Sequence, residues 1–439
     1  MSQLRVGAAR TNITPHLGCH MMGFFNDRLA DDIADELFAK TVVFENDETA
    51  FGFCVLDLIM AEKPDLDQAK ARASELTGIP TENLFISCTH THFGPGTVNL
   101  AAVPREDEYM QLAMERAGDS FKRAQNRLRA AEVGHNSGSC PEETHNRRWY
   151  MKDGSVRMNP GYLNPDAVRP AGPTDPEVGL LVARDVETKQ PLAALANYSL
   201  HYVGGPYATS ITADYFGYFD RALQRLYGAE FVGIMANGFC GDINNCDFTR
   251  PAPQYPYPFY QAERVGNRVA AAAYDAWLDI RDYASEPKLG VTTEQVKFRR
   301  REPSADELAA AQELVKTKIA QTDPGWAEWM YAAEVIAVAA EPVERNTPIM
   351  ALRVGNLGLV GVPGEIFVEY GLQIKARSPF ARTLTVELAN DYLGYCPTDK
   401  ALEEGSYETR LARTAKAARG TEGLFVEASV KALERLAEE

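Results

Sequence analysis

Apolar runs of strand length alternate with helically spaced stretches through the first two-thirds of the chain. Residues 40–44 (KTVVF) and 51–58 (FGFCVLDL) read as paired strands around a polar turn at 45–49. Residues 63–76 have helical spacing and stop at Thr77-Gly78-Ile79-Pro80, where Gly suits a left-handed cap and Pro cannot continue the helix. Residues 83–88 (NLFISC) form a short apolar strand running into a polar segment. Residues 180–185, 192–200 and 231–236 are further strands, and 220–227 and 261–283 are helices. This alternation predicts an α/β fold, with mixed β-sheets flanked by helices. A site is then expected at the carboxyl ends of strands.

Later segments extend the picture. Residues 148–174 and 244–260 are rich in Pro, Gly, Asn and aromatics, and read as long ordered loops. Residues 304–321 read as a polar, Ala-rich helix, 350–362 as a hairpin turning at Gly355-Asn356, 382–389 as a strand and 424–438 as an amphipathic helix. No repeat at a fixed period and no linker-like composition shift occurs, so residues 1–439 are expected to form a single domain.

Composition narrows the class. The chain carries 45 Lys+Arg against 61 Asp+Glu, a formal net charge of -16. Phosphate binding needs clustered basic residues, and the longest basic run is Arg299-Arg300-Arg301. Nucleic acid and anionic membranes are therefore not expected partners. No stretch approaches the ~20 apolar residues of a membrane helix, and the first residues lack the apolar core of a signal peptide. The seven cysteines are odd in number and form no CxxC, which argues against a disulfide framework or a thiolate zinc site. The expectation is a cytoplasmic protein from a reducing compartment.

Candidate chemistry sits where strands run into turns. Cys88-Thr-His-Thr-His92 is followed by Phe93-Gly94-Pro95-Gly96. Residues two apart in extended backbone share a face, so His90 and His92 can share a site. Imidazole pairs suit zinc, although a hydrogen-bonded structural pair fits the same spacing. His201 ends a second apolar strand and precedes another Gly/Pro turn at 202–206. Asp242 follows a third strand, where it can orient a metal-bound histidine or simply form a turn. Glu365 follows a fourth, and a carboxylate would complete a His-His-Glu zinc set with a position open for water.

Taken in order, these motifs resemble the neutral/alkaline, non-lysosomal ceramidase family. The carriers are Thr11-Asn-Ile-Thr-Pro15 with Met21-Met22-Gly23-Phe24, Thr89-His-Thr-His92, Asn146-Arg147, Ala213-Asp214-Tyr215-Phe216-Gly217, Gly241-Asp242, Pro363-Gly364-Glu365 and Asn390-Asp391-Tyr392-Leu393-Gly394-Tyr395. The chain resembles a short, bacterial-type member without the family's C-terminal β-domain. The resemblance implies Zn2+ held by His90, His201, Glu365 and Tyr395. It implies catalytic roles for His92, Arg147 and Tyr407, and substrate-binding roles for Asp214 and for Arg147, which could pair with a substrate carboxylate. Asn244 stands where the family carries a serine, so it offers an amide donor to the substrate in place of a nucleophilic hydroxyl. The expected reaction is hydrolysis of an amide, lactone or ester by a metal-activated water. The charge of -16 points to a small soluble substrate rather than ceramide itself. A lyase or isomerase acting on a carbohydrate-like substrate is the alternative, and a non-catalytic binding protein a more distant one.

Overall fold

The computed structural model describes residues 3–205 and 208–438, so Pro206 of the second Gly/Pro turn lies outside the described residues. An eight-stranded sheet forms the centre. Its strands are β1 (Arg5–Asn12), β2 (Phe38–Glu45), β3 (Ala50–Leu56), β4 (Leu84–Cys88), β5 (Arg129–Ser139), β6 (Glu177–Asp185), β7 (Pro191–Tyr198) and β8 (Val232–Asn237). They lie in the order β8-β7-β6-β5-β1-β2-β3-β4. The outermost pairs, β3 with β4 and β7 with β8, are parallel, and the pairs between them are antiparallel. The two edges approach each other at their carboxyl ends, where the Asn237 amide donates to the Thr89 carbonyl at 3.2 Å. That meeting point is where the candidate ligands sit.

A second sheet packs face to face on the first. It contains β9 (Leu289–Arg299), β10 (Glu344–Val354), β11 (Leu357–Gly361) and β12 (Arg382–Val386), in that order. Between the sheets lie Val42, Phe53 and Phe85 from one and Met350, Leu359 and Leu384 from the other. Phe53 and Phe85 stack at 4.8 Å.

The opposite face of the first sheet is covered by helices. Val43 and Cys54, next in sequence to Val42 and Phe53, point to a cluster with Leu66 of α1 (Lys63–Thr77) and Met110 and Phe121 of α2 (Asp107–Gln125). This is the period of two along a strand, with both faces buried. Leu180 and Ala196 meet Phe219 of α3 (Asp214–Tyr227) and Val269 of α4 (Tyr260–Leu278). The second sheet is covered by α7 (Val368–Arg377) and α8 (Thr421–Glu438). The result is four layers, helix on sheet on sheet on helix, which is the mixed α/β architecture expected.

Local signals act where they were read. The α1 helix begins with Pro in its first turn and ends on Gly78 at φ 78°, whose N–H returns to the Ser74 carbonyl. The hairpin of β10 and β11 turns at Gly355-Asn356. Other boundaries moved. Ser304 caps α5 (Ala305–Leu314) through a capping box, but the helix stops at Leu314 rather than continuing to residue 321. Residues 148–174 are not a plain loop. They form a three-stranded antiparallel sheet in which Arg148–Met151 lies between Val156–Met158 and Ala167–Pro170. Strands of three or four residues are too short to show a period. The helix α6 (Trp326–Ala340) was not expected, because its apolar residues are not confined to one face. Among the described residues no helix is long and apolar enough to cross a membrane.

Candidate metal centre

The chain just beyond β4 is pinned against the neighbouring segment. Thr89 N–H donates to the Leu56 carbonyl and His90 N–H to the Leu58 carbonyl, both at 2.9 Å. His90 itself has φ 71°, a left-handed conformation that a bulky residue holds only under constraint. Its Nδ1 lies 2.8 Å from the Ile59 carbonyl. A carbonyl can only accept, so Nδ1 carries the proton and neutral His90 presents Nε2 as a lone pair.

That lone pair faces others of its kind. His90 Nε2 is 3.2 Å from His201 Nε2 and 3.2 Å from His92 Nε2. It is also 3.2 Å from Glu365 Oε2, which lies 4.0 Å from His201 Nε2. Ligands about 2.1 Å from one ion in a tetrahedron would stand about 3.4 Å apart. His90, His201 and Glu365 are all buried. Glu365 Oε1 accepts from the Tyr392 hydroxyl at 2.8 Å, whereas Oε2 has no hydrogen-bond donor. A buried carboxylate oxygen aimed at the His90 and His201 imidazoles is unfavourable unless a proton or cation lies between them. The donors therefore fit a metal ion: the His90-His92-His201 group can hold one, with Glu365 Oε2 beside it.

Without a cation, the cluster holds a proton instead. Burial opposes charge on His90, yet the Glu365 carboxylate outweighs it and keeps the imidazole above its ordinary range. The carboxyl of Glu365 is held low in return, His90 overcoming the burial that would raise it. His92 and His201 are pushed well below the ordinary histidine range. Burial is the main cause for both, reinforced by His90 for His92 and by Arg147 for His201. Both are neutral at pH 7.

Glu365 is delivered by a backbone that only glycine permits. Gly364 has φ 120°, and a Cβ there would meet the Gly394 carbonyl oxygen at 2.6 Å. That contact seats Glu365–Ile366 beside Tyr395–Cys396 in a short parallel pair, with Glu365 opposite Tyr395. The Tyr395 hydroxyl faces both Glu365 and Arg147, and the Arg147 guanidinium lies 5.4 Å from its ring. Gly23, at φ 124°, does the same for the mouth: a Cβ would strike the His92 backbone and Cβ at 2.4–2.6 Å.

Arg147 lines the cavity but is already engaged. Its Nε donates to Glu408 Oε1 at 2.8 Å and its Nη2 to the Gly241 carbonyl at 2.7 Å. Arg148 donates to the other oxygen of Glu408 at 2.9 Å. The fully buried Glu408 thus anchors two adjacent arginines. Tyr407 lies opposite, its ring 5.7 Å from Tyr395. Burial pushes its pKa up, so the phenol stays protonated.

The cavity has a volume of about 250 Å3. Its floor is His90, His92, His201, Glu365, Tyr395 and Arg147, and its rim is Met22, Phe24, Phe25, Leu100, Met158 and Tyr202. His92 stacks on Tyr202 at 3.7 Å.

Three expected residues sit elsewhere. Asn244 is not among the cavity-lining residues; its Nδ2 donates to Asn159 Oδ1 at 2.7 Å, and Asn159 lines the wall. Asp214, fully buried, accepts from the Val203 and Gly204 N–H groups and so holds the turn after His201. Asp242 touches no histidine: Oδ1 accepts from Val368 N–H at the start of α7 and Oδ2 from the Asn146 amide. It is a structural anchor. Sequence reasoning missed Tyr392, Tyr202, Asn159, Glu408 and Glu387. His92 lines the cavity, and its Nε2 stands as close to His90 as that of His201 does.

No family model matches this chain, and no curated protein matches it by sequence. Solved structures do match it. The neutral ceramidase from Pseudomonas aeruginosa superposes with a TM-score of 0.76 at 20% identity, over 99% of this chain and 75% of that one. A structure described as ceramidase complexed with C2 gives 0.75 at 19%, over 99% and 76%. Identity this low speaks for the architecture alone. The chain has the neutral-ceramidase-like fold, with its candidate metal centre where the edges of the central sheet meet.

Proposed function

We propose that this chain is a zinc-dependent hydrolase of an amide bond in a small substrate taken from water, with lactones and esters the nearest variants. One observation carries the reading: three imidazole nitrogens and a donorless carboxylate oxygen converge in a buried pocket. Nitrogen donors with one carboxylate suit zinc better than magnesium or calcium, which prefer oxygen. His90, His201 and Glu365 would hold the ion, with Tyr395 and His92 next to it. A bound zinc ion supplies Lewis acidity, polarising a carbonyl and bringing the pKa of water to about 7.

The remaining chemistry belongs to side chains. Tyr407, kept protonated by burial, can donate to the carbonyl oxygen as negative charge develops there. His92, kept neutral, can accept a proton and return it to the leaving nitrogen. Arg147 turns its positive field on the cavity while Glu408 holds it in place. Similarity in fold to proteins described as ceramidases supports an amide as the scissile bond. The cavity volume of about 250 Å3 lies below the roughly 300–1,000 Å3 of ordinary ligand pockets, which supports a small substrate.

The test is product analysis in 18O-labelled water. Zinc-loaded protein acting on short N-acyl amides should place one labelled oxygen in the released acid. Turnover to a product without label would overturn hydrolysis in favour of elimination or isomerisation.

A further inference from the structure

Glu387 follows β12 directly and is fully buried. It lies outside the cavity lining, yet it reaches all three parts of the ligand set. Its Oε2 accepts from Ile366 N–H at 3.0 Å, one residue after Glu365. The same oxygen accepts from Cys240 N–H at 3.1 Å, and Oε1 accepts from the Cys240 thiol at 3.0 Å. That sulfur is 3.6 Å from His201 Nδ1, on the side of the ring away from the site. Oε1 also accepts from the Asn237 amide at 3.3 Å. The same amide nitrogen donates to the Thr89 carbonyl at 3.2 Å, one residue before His90. One carboxylate therefore ties together segments that are remote in sequence and carry His90, His201 and Glu365.

The chemistry of these contacts matters as much as their position. Every donor to Glu387 is neutral: two backbone amides, a thiol and a carboxamide. A buried carboxylate held only by neutral donors is poorly compensated. Burial pushes its carboxyl up to about 7, although His90 pulls it the other way. With Glu365 the only carboxylate among the proposed ligands, a divalent cation would leave one positive charge unmatched in the same buried region. Groups behind metal ligands orient them and tune the ion, and their loss typically lowers metal affinity about 10–100-fold.

We propose that Glu387 is a positioning residue of the metal centre, setting the spacing of His90, His201 and Glu365 and supplying the second negative charge that a dication requires. The proposal rests on the zinc reading above and extends it to a residue that touches neither metal nor substrate.

The experiment uses the full chain and the metals themselves. Zinc affinity is measured by chelator competition for the wild type, Glu387→Gln and Glu387→Asp. The visible spectrum of each cobalt-substituted protein is recorded, with near-UV circular dichroism as the check on fold. Glu387→Gln keeps the shape and removes the charge; it should bind zinc about 10–100-fold more weakly and shift the cobalt bands. Glu387→Asp, which keeps the charge, should recover part of that loss. A folded Glu387→Gln protein with wild-type zinc affinity and cobalt spectrum overturns the proposal and leaves the zinc reading standing. Wild-type protein that takes up neither zinc nor cobalt overturns the zinc reading itself. Should Glu387→Gln fail to fold, Cys240→Ala removes only the thiol between Glu387 and His201. It should weaken zinc at least about threefold, and unchanged affinity would again overturn the proposal.

Discussion

His90 Nδ1–H donates a hydrogen bond to the Ile59 carbonyl at 2.8 Å, and its Nε2 faces Glu365 Oε2 at 3.2 Å. This relationship leaves the cluster able to hold a metal and gives it a pH dependence. In the metal-free protein, Glu365 keeps the His90 pKa above its ordinary value. A metal must displace the proton that His90 holds. Zinc affinity should therefore fall about tenfold per pH unit once the pH drops below the raised His90 pKa, and level off above it. His92 and His201, already neutral, should add no second proton in that range. Calorimetric titration in buffers of different ionisation enthalpy counts the protons released. At least one proton is expected near pH 6, from His90, with Glu387 a second source there; none would contradict the His90–Glu365 account.

Glu408 is the next test. It is fully buried and accepts from Arg147 and Arg148 at 2.8 and 2.9 Å. Removing one partner of a buried ion pair leaves the other charge uncompensated, at a cost of about 3–5 kcal/mol. Glu408→Ala should lower stability by that order in a denaturant titration. An effect below ~1 kcal/mol would place the arginine pair in water and contradict its burial.

Tyr407 separates binding from chemistry. If its hydroxyl meets charge that develops only in the transition state, Tyr407→Phe should lower kcat about 10²–10³-fold with KM little changed. Since burial keeps the phenol protonated, kcat should show no ionisation attributable to Tyr407 between pH 6 and 9. A mutant that raises KM alone would reassign Tyr407 to substrate binding.

One wall of the cavity is braced by α6. Tyr331 of that helix packs on Phe25 at 5.8 Å, and Phe25 packs on Tyr407 at 6.3 Å. Glu334, also on α6, accepts from the Ala101 N–H and from Arg413, which flank the lining residues Leu100 and Thr414. Trimming this wall should admit longer acyl chains. Phe25→Ala should raise kcat/KM for a hexanoyl amide over an acetyl amide by about tenfold, the range expected for a few methylenes. An unaltered ratio would show that chains leave by another path.

Much of this site was visible in the chain before any coordinates. Apolar runs ending in Gly/Pro turns marked His90 and His201 at strand ends, and Pro363-Gly364 marked Glu365. Those signals are local, so a linear reading can find them. What it could not find depends on contacts between distant segments. Glu387 and Glu408 look like any other carboxylate until folding brings Ile366, Cys240 and the two arginines to them. The Ile59 carbonyl, which fixes the His90 tautomer, has no side-chain signature at all. β5 was missed because Gly134, Gly138 and several polar residues break its apolar pattern. Asn244 meets the cavity only through Asn159, a contact its place in a motif does not disclose.

The central claim is that His90, His201 and Glu365 assemble a zinc site, and metal content tests it most directly. Protein prepared without chelators and equilibrated with zinc should retain one zinc ion per chain after gel filtration. His90→Ala and Glu365→Ala should retain none while keeping their circular dichroism spectra. Wild-type protein that emerges free of metal, or variants that keep a full equivalent of zinc, would contradict the account.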